Sequence, residues 1–447
     1  MATIKSWFVP VIMIVFFWMT ILPCAAIEPA WKFSYGEREI GDIAVAPDGS
    51  TVIAAAGKVL LLSNNGTQLS NEPFGEIVAQ SRDGSTIVSS YSSPVSSTVY
   101  LFKKKKDASG NFFLQKQWDA TFPQRVLSFA VSDNGDRISF CTVSKGIYIY
   151  SGNTGKRLGY SDKFSSLIAI SAKGGTISGI SLAEGLRVFN YLGTTVKRYT
   201  VSMAGQPTSF LMNSNGDKVV FDSGPHIIAV NLKNGTEFWK IRSSGNVNTM
   251  DLIPSGSAIA VGTENGIIEL YDTEGNLTWT YSHNGKAIRS VALTRDGSKI
   301  IAGSIDGKVL LLDSAGNLSW SYDTQTDSIR QVAIAADGSL AVAAGENLIY
   351  AFSTTEQSVP PKDLGTPRKT STPGKISGNT SAPDQKTDNS PKFTSSTPRK
   401  IVSETPMVTM TEYSIVRKVT QSPVNGIICI AALIVGVFFY SRKKDRK

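Results

Sequence analysis

Two histidines and three cysteines limit the chemistry that this chain of 447 residues could perform. His226 and His283 lie 57 residues apart, whereas the histidines of a zinc-binding pair are usually about three to five residues apart. The sequence also lacks the motif that presents a nucleophilic serine in hydrolases. We therefore expect both histidines in loops or at strand ends, and we predict no catalytic, cofactor-binding or metal-binding residue.

Cysteine usage excludes an intramolecular disulfide from the part of the chain that is predicted to be exported. Cys24 ends the N-terminal apolar segment, and Cys429 lies in the C-terminal apolar segment. Cys141 alone lies between them, within a sequence with the pattern of a strand. It is predicted to be a small buried apolar residue.

Asparagine in the motif Asn-X-Ser/Thr is the recurring side chain with a recognised modification chemistry. Four of these motifs occupy corresponding turns of a repeat and a fifth follows the repeats, at Asn65, Asn234, Asn276, Asn317 and Asn379. Glycosylation of an exported surface and ordinary turn chemistry both account for them, because Asn and Gly favour tight turns. Acid-glycine pairs such as Asp296-Gly297 are likewise predicted to be hairpin turns rather than calcium loops.

A repeat of about 40 residues must position these side chains. The sequence YDTEGNLTWTY at Tyr271–Tyr281 returns 41 residues later as LDSAGNLSWSY at Leu312–Tyr322. The alternating apolar runs between the copies indicate four strands per repeat, which is typical of a β-propeller blade. A turn glycine recurs at Gly49, Gly84, Gly135, Gly174, Gly216, Gly256, Gly297 and Gly338. We predict an all-β, eight-bladed propeller, with seven blades as the alternative.

Tryptophan marks the fourth strand of the repeat. Five tryptophans share this position, namely Trp31, Trp118, Trp239, Trp279 and Trp320. Tyr160 and Tyr199 are predicted to replace it in two further blades, where a large flat side chain can wedge against the neighbouring blade. Trp31 precedes the first inner strand, and the last repeat stops after its third strand. The N-terminal strand is therefore predicted to complete the last blade and close the propeller.

The two ends of the chain predict export and anchoring. Residues 1–26 have the order of a signal peptide, with an uncleaved anchor or a lipoprotein cysteine at Cys24 as alternatives. The propeller is assigned to residues 27–353 and a disordered Ser/Thr/Pro-rich stalk to residues 354–421. Residues 424–440 are predicted to be a transmembrane helix of about the minimum length, and residues 441–447 a basic cytoplasmic tail. We expect a single-pass protein of the cell membrane with an extracellular propeller.

The formal net charge of +9 lies outside the predicted propeller. The stalk and the C-terminal tail carry +4 each and Lys5 adds +1, so that residues 27–353 are neutral. This distribution favours tails near an anionic membrane surface and argues against nucleic-acid binding. The run Lys103–Lys106, which lies in an insertion at a hairpin tip, is predicted to be a solvated loop rather than a polyanion site.

The repeat resembles the PQQ-type propeller repeat, in which G-x-V-x-x-L-D is followed by a glycine and a docking tryptophan. Gly307–Trp320 carries this pattern, Gly266, Asp272, Gly275 and Trp279 carry it again, and Gly235 with Trp239 matches in part. The resemblance covers Trp31–Ser353 and is strongest in the last three or four units. It overlaps with the WD40 type, although the Gly-His and Trp-Asp dipeptides of that repeat are absent.

This resemblance implies an eight-bladed propeller like that of quinoprotein dehydrogenases and of non-catalytic scaffolds related to them. The dehydrogenases need a calcium site, a catalytic aspartate and usually a pair of adjacent cysteines, and this sequence offers no counterpart. The fold is therefore expected to be shared without the chemistry. The layout of signal, propeller, stalk, span and basic tail is also similar to that of archaeal surface proteins, those of methanogens in particular.

The predicted strand order assigns each loop to one of two faces. Both chain ends leave on the face that carries the Asn-X-Ser/Thr turns, and the opposite face is predicted to point outward and bind partners. Its candidate residues are Arg38, Phe74, Arg125, Phe164, Glu264, Lys286, Asp306 and Glu346. We predict a non-enzymatic surface propeller that binds protein or glycan, without a cofactor or a small-molecule substrate. The alternatives are an exported quinoprotein-like dehydrogenase and an envelope-assembly scaffold.

Overall fold

The computed structural model describes residues 27–354, apart from residues 37, 74, 95 and 144, together with a short strand at 415–416. The predicted signal peptide, the transmembrane segment, the basic tail and almost all of the predicted stalk lie outside the described residues, as do Phe74, Asn379 and the cysteines Cys24 and Cys429. Within the described ranges, no helix is long and apolar enough to cross a membrane.

Of the 33 strands in the described residues, 32 form eight blades of four strands, each an antiparallel meander apart from the closure of the last, and β33 adds a fifth strand to one sheet. Blades 1 and 2 consist of β2 (Asp42–Val45), β3 (Thr51–Ala55), β4 (Lys58–Ser63), β5 (Gln68–Pro73), β6 (Ile77–Gln80), β7 (Thr86–Ser92), β8 (Ser97–Lys106) and β9 (Phe112–Phe122). Blades 3 and 4 consist of β10 (Val126–Val131), β11 (Arg137–Thr142), β12 (Gly146–Ser151), β13 (Arg157–Ser161), β14 (Leu167–Ile170), β15 (Thr176–Ser181), β16 (Gly185–Asn190) and β17 (Thr195–Tyr199).

The second half of the propeller repeats this order. Blades 5 and 6 consist of β18 (Phe210–Met212), β19 (Lys218–Ser223), β20 (His226–Asn231), β21 (Glu237–Arg242), β22 (Val247–Leu252), β23 (Ala258–Thr263), β24 (Ile267–Asp272) and β25 (Leu277–Ser282). Blades 7 and 8 consist of β26 (Ile288–Leu293), β27 (Lys299–Ser304), β28 (Lys308–Asp313), β29 (Leu318–Asp323), β30 (Gln331–Ile334), β31 (Leu340–Gly345), β32 (Leu348–Ser353) and β1 (Trp31–Ser34). The prediction of eight blades is confirmed.

The N-terminal strand closes the propeller as predicted. Strand β1 pairs antiparallel with β32, with Trp31 opposite Ala351 and Ser34 opposite Leu348. This pairing ties the two ends of the propeller together and leaves blade 8 with the same four strands as the others. The two-residue strand β33 (Ile415–Val416) pairs with the inner strand β10.

Apolar side chains fill the spaces between adjacent blades. The core is divided into separate clusters, and the cluster that joins blades 8 and 1 contains Ile43, Leu60, Val342 and Ile349. Because a single four-stranded sheet cannot bury both of its faces, each blade depends on its two neighbours for its core.

A docking contact between an outer-strand tryptophan and a turn of the following blade recurs around the propeller. The indole N–H of Trp279 donates to the carbonyl oxygen of Ser314 at 2.9 Å, and a Cβ on Gly316 would lie 2.6 Å from the indole. Trp31, Trp118 and Trp239 make the same contact with Gly66, Gly155 and Gly275. Trp320 instead packs against Phe352, with 4.8 Å between ring centroids, because the third strand of blade 8 is followed by no turn to a fourth strand.

The two tyrosines that were predicted to replace tryptophan lie in different registers. Strand pairing puts Gly159 and Lys197 at the tryptophan position of blades 3 and 4. Tyr199, two residues further on, still docks: its hydroxyl donates to the carbonyl oxygen of Leu232 at 2.9 Å. The prediction for Tyr160 is wrong, because its ring points outward and 39% of the residue is exposed.

The prediction that Lys103–Lys106 forms a solvated loop is also wrong. All four lysines belong to β8, whose long hairpin with β9 reaches toward blade 1. The ammonium group of Lys103 donates to Thr86 Oγ1 at 2.7 Å, and that of Lys104 donates to Thr51 Oγ1 in blade 1 at 3.0 Å. Burial lowers the pKa of both lysines. Lys104 thus joins blade 2 to blade 1, which has no docking tryptophan.

We expect Gly316→Ala to destabilise the protein by about 2–4 kcal/mol, because alanine is strained at a φ of +84° and its Cβ would overlap with Trp279. Two controls separate these effects in thermal unfolding of the purified full-length protein. Gly285 has a φ of +71° in open space, so Gly285→Ala should cost only about 1–2 kcal/mol. Gly175 has neither constraint, so Gly175→Ala should change stability by less than about 0.5 kcal/mol. Equal losses for Gly316→Ala and Gly285→Ala would show that the tryptophan contact contributes nothing.

Candidate functional site

The outward face is made of the loops that connect second to third strands and fourth strands to the next blade. The candidate residues that the structure describes all lie in these loops: Arg38, Arg125, Phe164, Glu264, Lys286, Asp306 and Glu346. Phe164 and Asp306 are partly buried, and the others are exposed. The face therefore displays charges of both signs around the propeller. Their role in binding stays a prediction.

The first cluster on the outward face lies where blade 8 meets blade 1. Arg330 and Glu39 form a bidentate ion pair with N–O distances of 2.7 and 2.9 Å. Glu39, Arg330 and Glu346 line a cavity of about 520 Å³ that opens on this face. The Arg38 guanidinium lies against Gly57, where a Cβ would come within 2.5 Å of it. Arg38 and Glu346, which are 308 positions apart in the sequence, thus lie at the same blade junction.

The second cluster lies where blade 6 meets blade 7. Nε2 of His283, which is buried, lies 3.1 Å from a carboxylate oxygen of Asp306. Burial alone would raise the pKa of the Asp306 carboxyl, but hydrogen bonds from Ser304 and His283 and the charge of His283 outweigh it and lower the pKa. At the preceding junction, between blades 5 and 6, Asn246 donates to Glu264 Oε1 at 2.8 Å. His283 is a loop residue and His226 begins β20, as expected from the sequence.

Arg125 and Phe164 belong to other junctions of the same face. Arg125 lies between blades 2 and 3, where its carbonyl oxygen accepts from the backbone N–H of Val143 at 2.9 Å. Phe164 lies between blades 3 and 4, where its carbonyl oxygen accepts from Ser181. The candidate residues are therefore distributed around one face and do not converge on one reaction centre. Such a distribution suits contact with a macromolecule better than with a small substrate.

A cavity of about 240 Å³ lies in the central channel among the inner strands β2, β18, β22, β26 and β30. Two aspartates on its wall join neighbouring blades. Asp42 accepts from the backbone N–H of Val78 at 3.2 Å, and Asp251 accepts from that of Leu293 at 2.8 Å. These carboxylates satisfy inner-strand N–H groups. Asp42 and Asp251 therefore have a structural role, which is to join the inner strands of neighbouring blades.

Among the described residues, two further side chains with reactive groups, Cys141 and Glu269, are buried within the blades. No group of three His, Cys, Asp or Glu residues in the described ranges could hold a metal ion. Cys141 is buried, and burial raises the pKa of its thiol to about 12. Glu269 is buried in blade 6, where it accepts from the backbone N–H of Ser244 and the hydroxyl of Tyr271, both at 2.8 Å. The prediction that Cys141 is a buried residue is confirmed.

The opposite face carries the Asn-X-Ser/Thr motifs and both ends of the propeller. Asn276 and Asn317 use their amide nitrogens to donate to Asp272 and Asp313, at 2.9 and 3.0 Å. Asn65 and Asn234 instead accept through Oδ1 from the backbone two residues further on, at 3.2 and 3.1 Å. Four exposed asparagines thus lie in equivalent turns. The Nδ2 atoms of Asn276 and Asn317 donate to aspartates of the same turn, whereas Asn65 and Asn234 make their turn contacts through Oδ1.

Eight meandering sheets, closure by the first strand, and tryptophans that dock on turn glycines define a β-propeller of PQQ-like repeats. Residues 163–389 match the PQQ-like family described as outer membrane protein assembly factor BamB. The chain belongs to this family. A comparison with curated proteins finds no match.

Solved structures with the same fold include a WD40 domain and two proteins named Sqt1. Sqt1 of Chaetomium thermophilum, solved bound to the N-terminus of ribosomal protein L10, is 15% identical with a TM-score of 0.64, over 73% of this chain and 100% of its own. The C-terminal WD40 domain of Sif2 is 14% identical with a TM-score of 0.60, over 74% of this chain and 99% of its own. Sqt1 of Saccharomyces cerevisiae is 13% identical with a TM-score of 0.60, over 74% and 100%. At these identities the likeness concerns the fold alone.

The glycosylation hypothesis makes a ranked prediction for the four turns. We expect higher occupancy at Asn65 and Asn234 than at Asn276 and Asn317, because Nδ2 is the atom that is modified and the latter pair uses it in hydrogen bonds. Mass spectrometry of glycopeptides from the native host measures this. Asp272→Ala should raise occupancy at Asn276 and leave Asn234 unchanged. Unmodified asparagine at all four turns would identify the motifs as turn chemistry only.

Proposed function

We propose that this protein is a non-enzymatic surface propeller that is anchored to the cell membrane through its C-terminal segment and binds a protein partner through the outward face. The observation that carries the proposal is the position of the two chain ends. β1 begins and β32 ends on the face opposite the outward loops. A tether that continues from Thr354 would therefore leave the outward face unobstructed.

The comparisons support a binding role for such a face. The family is described as an assembly factor, and a propeller of similar fold is bound to the N-terminus of another protein. The loops of the outward face combine exposed charges with apolar side chains such as Leu182 and Ile305, which are 53% and 38% exposed. Both features suit the polar rim and apolar centre of a protein interface. A scaffold in envelope assembly is the second candidate, and the family description favours it.

Surface display can be tested by labelling single introduced cysteines. Lys286→Cys lies on the outward face and Glu274→Cys on the opposite face, and both positions are exposed. We expect a membrane-impermeant maleimide to label both variants on intact cells. The unmodified chain serves as the control, since Cys141 is buried with a raised pKa. Labelling only after lysis would overturn the membrane topology.

Partner binding can be tested by charge reversal on the outward face. We expect Arg38→Glu, Arg125→Glu and Lys286→Glu together to weaken, by about tenfold or more, the recovery of proteins crosslinked to the full-length chain on intact cells. The matched control reverses three exposed lysines away from this face, Lys105, Lys233 and Lys240. Crosslinked products are compared by quantitative mass spectrometry. Equal losses in both triple variants, or none in the first, would contradict an outward binding face.

A further inference from the structure

Four apolar side chains are exposed on the outer strand of blade 3 and on the outer strand and turn of blade 4. Tyr160, Tyr191, Leu192 and Val196 are 39, 42, 51 and 56% exposed. Tyr160 lies on the outer strand β13, Val196 lies on the outer strand β17, and the other two form the turn that precedes β17. We call these four residues the rim patch. None of the four belongs to a loop of the outward face, so the rim patch is a surface additional to that of the proposed function.

The rim patch lies at an irregular junction, that of blades 3 and 4. Gly159 stands where other blades carry the docking tryptophan. The turn of blade 4 packs directly on its backbone, since a Cβ on Gly159 would lie 2.3 Å from the carbonyl carbon of Leu192. No indole fills the junction, and the neighbouring Tyr160 faces outward. Its hydroxyl donates to the carbonyl oxygen of Lys145 at 2.8 Å, which fixes the direction of the ring.

The surroundings of the rim patch are basic. The two segments that carry it, Ser151–Ser161 and Asn190–Tyr199, contain four Lys or Arg residues and no Asp or Glu, while two carboxylates lie beside them: Asp162 is next in the chain, and Asp136 accepts from Asn153 at 2.7 Å. The guanidinium of Arg157 lies 6.0 Å from the centroid of the Tyr160 ring, and that of Arg137 lies 4.9 Å from Tyr191. Among the described residues, no ion pair joins Arg157 or Arg198 to a carboxylate. The positive charge is therefore available to a partner.

The candidate glycosylation sites leave this part of the rim clear. Asn65 lies in blade 1, and Asn234, Asn276 and Asn317 lie in blades 5, 6 and 7. Blades 2 to 4 contain no Asn-X-Ser/Thr motif. A surface that must stay accessible to a partner would show this distribution, and the exposed apolar area coincides with it.

We propose that the rim patch binds an acidic protein segment whose apolar side chains pack against Tyr160, Leu192 and Val196. Carboxylates of the segment pair with Arg157 and Arg198, which lie on the same outer strands, β13 and β17. The shape favours a peptide over a lipid surface. Tyr160 reaches a loop of the outward face through Lys145, while Leu192 lies in a turn of the opposite face, so the patch extends along the height of the blades rather than across one face.

Fluorescence anisotropy of the purified full-length protein with labelled peptides tests the proposal. The probe is a peptide of about 12 residues in which Glu alternates with apolar residues, and its counterpart has Lys in place of Glu. The test variant is Val196→Ser with Arg198→Glu. The matched control is Phe238→Ser with Lys240→Glu, because strand pairing puts Phe238 and Lys240 in the same register of blade 5 and Phe238 is 49% exposed. These exposed substitutions leave the core intact.

We expect the acidic peptide to bind the unmodified protein and the blade 5 control alike, and the test variant to bind about tenfold more weakly or worse. Raising the salt concentration from about 0.05 M to about 0.5 M should weaken binding, because exposed charges are screened. Three results would overturn the proposal: equal binding by the test variant, equal binding of the lysine peptide, or no peptide binding. A second experiment measures whether the purified protein floats with anionic lipid vesicles in a density gradient. Binding to vesicles without binding to the peptide would assign the patch to a membrane surface instead.

Discussion

The stacking of an outer-strand aromatic ring on a turn glycine of the next blade is the contact on which the rest of this propeller depends. A lone four-stranded sheet would expose a large apolar face, so each blade needs a fixed separation from its neighbour. Trp279 fixes that separation from one side and Gly316 from the other, and the 2.9 Å hydrogen bond of the indole sets the height of one blade against the next. Trp31 makes the same contact across the closure and so joins the first blade to the last.

The surfaces of interest occur where this contact changes. At the junction of blades 1 and 2, a long hairpin and the partly buried Lys104 take the place of the missing tryptophan. At the junction of blades 3 and 4, backbone packs on backbone at Gly159, and exposed positions carry the four apolar side chains of the rim patch. A repeat therefore keeps one fold while its exceptions create surfaces that differ from blade to blade. This is a reason to look for binding sites at irregular junctions rather than at the repeated ones.

The sequence was sufficient to predict the features that obey local rules. Turn glycines at 40-residue spacing and the position of Trp31 led to eight blades and to their closure, because both depend on short segments. Register was harder to predict. A β-bulge precedes the tryptophan position in these outer strands, so counting residues could not show that Tyr160 lies one position beyond it. The lysine run was likewise misassigned, since charge alone does not reveal a neighbouring blade. Pairs such as Arg330 and Glu39, 291 residues apart, require the closed propeller.

Charge is distributed unevenly within the propeller, in a way that the fold itself does not require. Residues 27–353 are neutral as a whole, yet residues 126–199 in blades 3 and 4 carry nine basic and four acidic residues, and residues 243–282 in blade 6 carry five acidic and no basic ones. The fold does not require this asymmetry, because the docking contacts use aromatic rings, glycines and backbone groups. Selection for the fold would leave charge free to vary, whereas a partner that approaches from one side would favour one sign there. Family membership thus accounts for the eight blades, and the proposed partner would account for the uneven charge and the exposed rim patch.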